Sequence, residues 1–187
     1  MLNKPRYEKS GIAIPSVTEI IPKPKFWITP EQLELAKQEG TDHHELVKMY
    51  WDNKCDTFGN EYLIRFDKFI KDYKKIWGKL LVYEQPLYAG ADFGGTPDMI
   101  FENAIVDLKR TSGVLKNHAL QLAGYYLLAK KNKIGDYKKY KKTWFIMWNN
   151  DEKFRCRNVF NANAESIFLT MLQNYRNNIA IEAYFKN

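Results

Sequence analysis

Cysteine is scarce in this chain. There are two, Cys55 and Cys156, far apart and without Cys-x-x-Cys spacing. A zinc ribbon and a four-cysteine iron–sulfur cluster are therefore excluded within the chain. Two free thiols in a reducing compartment are expected instead. Long apolar runs are also missing, and none approaches the roughly 20 residues a membrane-spanning helix needs. Met1–Ser10 is polar and charged, unlike a secretory leader. These absences predict a soluble, cytoplasmic protein with no membrane partner. Internal repeats and linkers are absent too, so residues 1–187 read as one domain. Proline is sparse except near the N-terminus, where Pro5, Pro15, Pro22 and Pro24 punctuate residues 1–28 and predict an irregular arm. What is abundant is apolar side chain, at 45%, which argues against global disorder, and positive charge, at a net +7. A basic domain favours polyanions, nucleic acid first and anionic membrane second.

Periodicity orders the rest. Thr29-Pro30-Glu31-Gln32 starts a helix with a capping threonine, a proline at the first turn and a glutamine closing a capping box. Gly40 is expected to end that helix and Asp42 to begin the next. Leu63, Phe66, Ile70, Tyr73 and Trp77 recur at spacings of three and four, predicting a helix over 61–77 with one buried face, stopped by Gly78. The pattern then shifts to strands over 81–88, 93–101 and 104–109. A helix over 116–131 follows, then a lysine-rich segment over 130–142. Strands over 143–148 and 154–159 and a helix over 163–176 complete the chain. Helices, three strands, helix, two strands and helix make an α/β fold with a mixed central β-sheet flanked by helices.

The stretch Gly95-Thr96-Pro97-Asp98-Met99-Ile100-Phe101-Glu102-Asn103-Ala104-Ile105-Val106-Asp107-Leu108-Lys109-Arg110 is the most informative. A hairpin turning through Glu102-Asn103 pairs Phe101 with Ala104, Ile100 with Ile105 and Asp98 with Asp107. Side chains alternate along strands, so Asp98, Asp107 and Lys109 share a face. Two facing carboxylates repel each other, and a divalent cation relieves the conflict. An adjacent lysine can hold water or meet developing negative charge. An isolated Asp-x-Lys more often sits on a solvated hairpin, paired with Lys109 or Arg110, so context decides its reading.

That context is a resemblance. Gly95-Thr96-Pro97-Asp98, Asp107-Leu108-Lys109 and Gln121-Leu122-Ala123-Gly124-Tyr125 resemble, in order, the core motifs of the PD-(D/E)xK nuclease superfamily, most closely its RecB-type and phage recombination exonuclease branch. Pro15-Ser16-Val17-Thr18, Gly40-Thr41-Asp42-His43-His44 and Glu84-Gln85-Pro86-Leu87 resemble segments upstream of that core, so the likeness covers roughly 15–126. It implies a restriction-endonuclease-like fold with a catalytic core over about 40–160. It also implies a Mg²⁺-dependent deoxyribonuclease, with Mn²⁺ as a substitute, acting in recombination, repair or phage DNA processing. Asp98, Asp107, Lys109, Gln121 and Tyr125 would be catalytic. His44, Asp98, Asp107, the Leu108 backbone carbonyl and Glu84 would surround the metal. DNA is the implied partner, together with a single-strand annealing or recombination protein, in a bacterial or phage-infected cell. Two cysteines set the chain apart from the iron–sulfur relatives. Lys130, Lys131, Lys133, Lys138, Lys139, Lys141 and Lys142 form a basic run interleaved by Tyr137 and Tyr140, which would suit DNA backbone contact and base stacking. The alternatives are a structure- or sequence-specific endonuclease, a non-catalytic nucleic-acid-binding module, and a basic interaction protein carrying the motif by chance.

Overall fold

The computed structural model describes residues 7–9, 12–22, 29–53, 57, 59–109, 116–150 and 152–186. In chain order the elements are strands β1 (Glu8–Lys9) and β2 (Ile12–Ala13) and helices α1 (Val17–Ile20), α2 (Pro30–Trp51) and α3 (Glu61–Trp77). Strands β3 (Leu80–Tyr83), β4 (Leu87–Tyr88), β5 (Gly94–Gly95), β6 (Met99–Phe101) and β7 (Ile105–Lys109) follow. Helix α4 (Lys116–Lys131), strands β8 (Trp144–Asn150) and β9 (Lys153–Asn158) and helix α5 (Ala164–Lys186) complete the fold.

The central sheet has the order β3-β6-β7-β8-β9. Only the β7–β8 pair within it is parallel, which is why α4 is needed to cross from the end of one strand to the start of the other. The expected mixed sheet flanked by helices is therefore present. Side-chain alternation gives the sheet two different apolar faces. Ile100, Ile105, Trp144 and Ile146 pack with Leu122, Ala123 and Tyr126 of α4 and Phe168 of α5. Met99, Phe101, Val106, Leu108 and Met147 pack on the other side with Leu63, Phe66, Ile70 and Trp77 of α3. The apolar spacing read for α3 is thus the face it buries. Gly78 ends that helix at φ +77°, a backbone that L side chains rarely adopt, with Glu102 lying where a Cβ would go.

Several expected boundaries are different. Gly40 does not divide α2, which runs unbroken from the Thr29–Gln32 capping box to Trp51. A glycine inside a helix costs about 1 kcal/mol relative to alanine. The cap at Thr29 and the hydrogen bond from Gln38 Nε2 to Asp42 Oδ1 (2.8 Å), which spans Gly40, support the helix through it. The strands expected over 81–88 and 93–101 each break in two. Glu84 has φ +39° and precedes Gln85-Pro86, while Pro97 has no N–H to give to a ladder. The freed pieces β4 and β5 pair with each other as a separate small sheet. The closing helix continues to Lys186 because no glycine or proline interrupts 177–186.

The arm over 1–28 is not irregular where it is described. Beyond the β1–β2 hairpin, Ser16 and Glu19 form a capping box for α1. Tyr7, Ile14 and Val17 are buried, which supplies the anchorage that local sequence did not reveal. The remainder of the arm, Cys55 and Arg110 lie outside the described residues. Cys156 is a free thiol, partly buried beside α3. Among the described residues, no helix is long and apolar enough to cross a membrane.

Candidate active site

The site forms where β6 and β7 run out of the apolar core. Their register pairs Ile100 with Ile105 and Met99 with Val106, and the Phe101 N–H donates to the Ala104 carbonyl at 2.8 Å. The ladder stops there: Asp98 lies just past its end, where its side chain takes the Leu108 N–H, and it reaches the same cavity as Asp107. The turn is clamped from below: Glu102 N–H donates to the Lys79 carbonyl and Asn103 N–H to the Trp77 carbonyl, each at 2.9 Å. Register is thereby tied to the end of α3.

Asp107 is 1% exposed, yet neither of its carboxylate oxygens receives a hydrogen bond of good geometry. The Lys109 ammonium lies 2.6 Å from Oδ2, an ion pair without an aligned donor. Asp98 is better provided, with the Leu108 N–H donating to its Oδ2 at 2.6 Å. Its Oδ1 lies 3.7 Å from His44 Nδ1, and His44 Nδ1 lies 3.0 Å from Glu84 Oε1. The Glu84 N–H donates to the Asp98 carbonyl at 3.0 Å, so the unusual Glu84 backbone is held where its carboxylate meets His44. Such a left-handed conformation in a non-glycine residue costs on the order of 1–3 kcal/mol.

The electrostatics follow from this crowding. Burial pushes the Asp98 carboxyl up to about 7, the Asp107 charge adds to it, and His44, Lys109 and the Leu108 N–H oppose it. Burial alone would lower His44, but its hydrogen bond to Glu84 and the Asp98, Glu84 and Asp107 charges outweigh that and raise it to about 9. Burial also disfavours the Lys109 ammonium, yet Asp107 and Asp98 hold it above the ordinary lysine value. His118, on α4, is pushed down by burial and by Lys109. The Tyr125 phenol is held well above its usual value, by burial first and then by Asp107 and Asp98.

Gln121 and Tyr125, one turn apart on α4, join the same cavity, with Gln121 Nε2 donating to the Tyr125 hydroxyl at 3.0 Å. His44, Glu84, Asp98, Asp107, Leu108 and Lys109 line it as well. The cavity thus gathers every residue singled out for catalysis or metal binding. Thr18, Thr41 and Thr96 also line it. Thr96 and Thr18 belong to the Gly-Thr-Pro-Asp and Pro-Ser-Val-Thr segments, which was the signal that could have marked them. Tyr7 had no such signal. Its hydroxyl lies 2.8 Å from Thr96 Oγ1 across 89 residues of sequence. His43 turns elsewhere and stacks on Tyr62 at 4.4 Å.

The lysine run is not brought to this cavity. Trp144, just after it, pairs with Ile105, whereas Lys109 pairs with Trp148. Lys133, Lys138, Lys139, Lys141 and Lys142 therefore lie toward the starting end of β7, with Lys130 and Lys131 at the far end of α4. Of the interleaving tyrosines, Tyr140 offers no stacking platform. Tyr140 is fully buried beside Tyr126, and Tyr137 packs on the core with Lys130 Nζ 5.7 Å from its ring centroid.

No family model matches the chain, and no curated protein matches it. What the site can do therefore rests on its residues. Among the described residues, no three histidine, cysteine, aspartate or glutamate side chains form a ready-made metal cage. The donor set is sparser: Asp98, Asp107, the Leu108 carbonyl and His44. Two buried Asp107 oxygens without aligned donors, beside a second carboxyl strained by burial, suit a hard divalent cation that is held by few carboxylates and completes its shell with water and substrate phosphate.

Proposed function

We propose that this chain is a metal-dependent nuclease of the PD-(D/E)xK superfamily, with a restriction-endonuclease-like core, acting as a DNA exonuclease in recombination, repair or phage DNA processing. The observation that carries this reading is Asp98 and Asp107 brought into one cavity at the end of a buried hairpin, with Lys109 2.6 Å from Asp107. A purely binding surface has no use for buried acids that would repel a phosphate. Asp98, Asp107, the Leu108 carbonyl and His44 would hold Mg²⁺, or Mn²⁺ in its place, with Glu84 orienting His44. When bound, the cation lowers the pKa of a water and neutralises phosphate charge.

The chain's own groups supply the rest. Lys109, held as an ammonium, meets the negative charge that grows on the phosphate and orients the attacking water. The Tyr125 phenol stays neutral and acts as a hydrogen-bond donor or acceptor, not as a base. Gln121 fixes the phenol and keeps its own carbonyl oxygen available to water. The deciding experiment offers end-labelled linear DNA and covalently closed circles, single- and double-stranded, with Mg²⁺ or Mn²⁺ and with Asp107→Ala as control. Loss of linear DNA with circles spared is expected. Cutting of the circles would make the protein an endonuclease of the same fold. Intact linear DNA under every condition sinks the nuclease reading.

A further inference from the structure

Outside the cavity, two groups of basic side chains lie beside the β7–β8–β9 part of the sheet. One is the lysine run, which lies toward the wrong end of β7. The other is β9, the edge strand of the central sheet. Phe154 and Cys156 of β9 turn toward α3, so alternation turns Lys153, Arg155 and Arg157 to the opposite face. That is the face carrying Asp107 and Lys109. The ladder makes the correspondence residue by residue. Lys109 pairs with Trp148 and Trp148 with Arg155, while Asp107 pairs with Ile146 and Ile146 with Arg157. Asn150, beyond the level of Lys109, pairs with Lys153.

Two parallel rows therefore run from the site to the sheet edge, each ending in an arginine. Two strand spacings separate β7 from β9, roughly 10 Å, or roughly three nucleotides at the axial rise of one strand. Arg155, Arg157 and Lys153 are exposed, and Trp148 between them and Lys109 is partly buried against the core. Among the described residues, neither Arg155 nor Arg157 has an ion-pair partner. A groove at this edge, lined also by Phe69, Asp72, Phe154 and Cys156, continues round β9 onto the α3 face, away from the cavity.

We infer that the nucleic-acid backbone runs from Lys109 across Trp148 onto Arg155 and Arg157 at the β9 edge, and that this edge, not the lysine run, is the principal phosphate-binding surface. The inference rests on the nuclease reading for the identity of the polyanion. Edge strands also carry charge to discourage pairing with other chains. That role needs charge of any sign anywhere along the edge. It does not account for guanidinium groups in register with Lys109 and Asp107, or for an aromatic ring placed between Lys109 and Arg155.

The test compares Lys153→Gln/Arg155→Gln/Arg157→Gln with Lys138→Gln/Lys139→Gln/Lys141→Gln, all at exposed positions. Binding of short fluorescein-labelled single- and double-stranded DNA is followed by anisotropy in EDTA across a salt series. Cleavage of linear DNA with Mg²⁺ is measured in parallel. The β9 variant should bind at least roughly tenfold more weakly at low salt. Its salt slope should shrink by about 0.7–0.9 for each phosphate that it no longer neutralises. In cleavage, KM should rise while kcat at saturating DNA holds. Restoring charge with Lys153/Arg155→Lys/Arg157→Lys should recover the slope. The lysine-run variant should bind within about twofold of the parent, since its charges release few counterions on binding. If the β9 variant binds and cleaves as the parent does, Arg155 and Arg157 are edge guards only and the inference falls. A drop confined to the lysine-run variant overturns it equally. A parent that binds DNA through β9 but never cleaves would instead remove the nuclease reading, so the two failures are distinguishable.

Discussion

Replacing Asp98 by asparagine should make the metal-free protein more stable. Asp98 is held at about 7 against an ordinary value of 3.8. A pKa higher by one corresponds to about 1.36 kcal/mol, so the ionised carboxylate weighs against the fold by at most about 4 kcal/mol above neutral pH. Asparagine has the same outline. Its Oδ1 can still accept the Leu108 N–H, and its amide takes the place of the oxygen 3.7 Å from His44 Nδ1. A gain of about 2–4 kcal/mol corresponds to roughly 5–15 °C in Tm for a chain of this size. The sign with pH follows from the raised value. The parent protein is most stable, as far as Asp98 is concerned, below its unfolded pKa of 3.8, and it loses that stability as pH rises through about 7. The advantage of Asp98→Asn should therefore be near zero at about pH 4 and full at about pH 8. Calorimetry in EDTA across that window is the assay. Adding Mg²⁺ at the alkaline end should raise the parent's Tm and leave the variant's unchanged. A variant no more stable than the parent at the alkaline end, or an advantage independent of pH, would refute the claim that the carboxylates are in conflict.

Lys109→Ala should cut single-turnover cleavage by roughly 10²-fold, a common loss for one preorganised charge, with Lys109→Arg restoring only part of it. It should also lower the metal-free Tm, because Asp107 loses the cation 2.6 Å away; parental cleavage would return the site to a binding role. Tyr7→Phe removes the hydroxyl that meets Thr96 and should cost about 1 kcal/mol in urea unfolding; no change would place the Tyr7 contribution entirely in its ring. Gly124→Ala sets a helix-propensity gain of about 1 kcal/mol against a Cβ 2.8 Å from Val17 Cγ1 and 2.9 Å from Phe168. Overpacking should win by about 1 kcal/mol or more, and a stabilised variant would show that α1 and α5 yield there.

Much of the architecture was legible where one physical rule acted alone. The 99–106 and 100–105 pairs, which bring Asp98 and Asp107 to one cavity, follow from a two-residue turn and a period of two. The limits of α3 and α4 follow from apolar spacing, a glycine stop and a lysine-rich exit. Reading failed where a distant contact overrode a local signal. Gly40 looks like a terminator until the Thr29 cap and the Gln38–Asp42 bond are added. Tyr140 looks like a stacking platform in a basic loop until Tyr126 claims its ring for the core. Tyr7 reaches Thr96 only through tertiary packing. The pairing of Arg155 with Trp148, and through it with Lys109, needs the parallel β7–β8 register, which short-range sequence patterns do not encode.

The two unlike faces of the sheet also bear on how this molecule can change. The α3 side is filled by aliphatic and aromatic groups such as Phe66, Phe69, Trp77, Phe101 and Phe154; of its apolar side chains Leu108 alone lines the cavity, while α2, which packs there through Val47, brings His44 to it. Volume-conserving exchanges in such interiors usually cost less than about 1.5 kcal/mol. A lineage, or an engineer, can therefore recompose the part of that layer that touches neither Leu108, nor α2, nor the end of α3 that holds the hairpin turn, raising or lowering heat tolerance while the opposite layer keeps its acids, lysine and phenol in place. Adaptation to temperature and adaptation of substrate preference are thus separable in this chain, each having its own side of a single sheet on which to act.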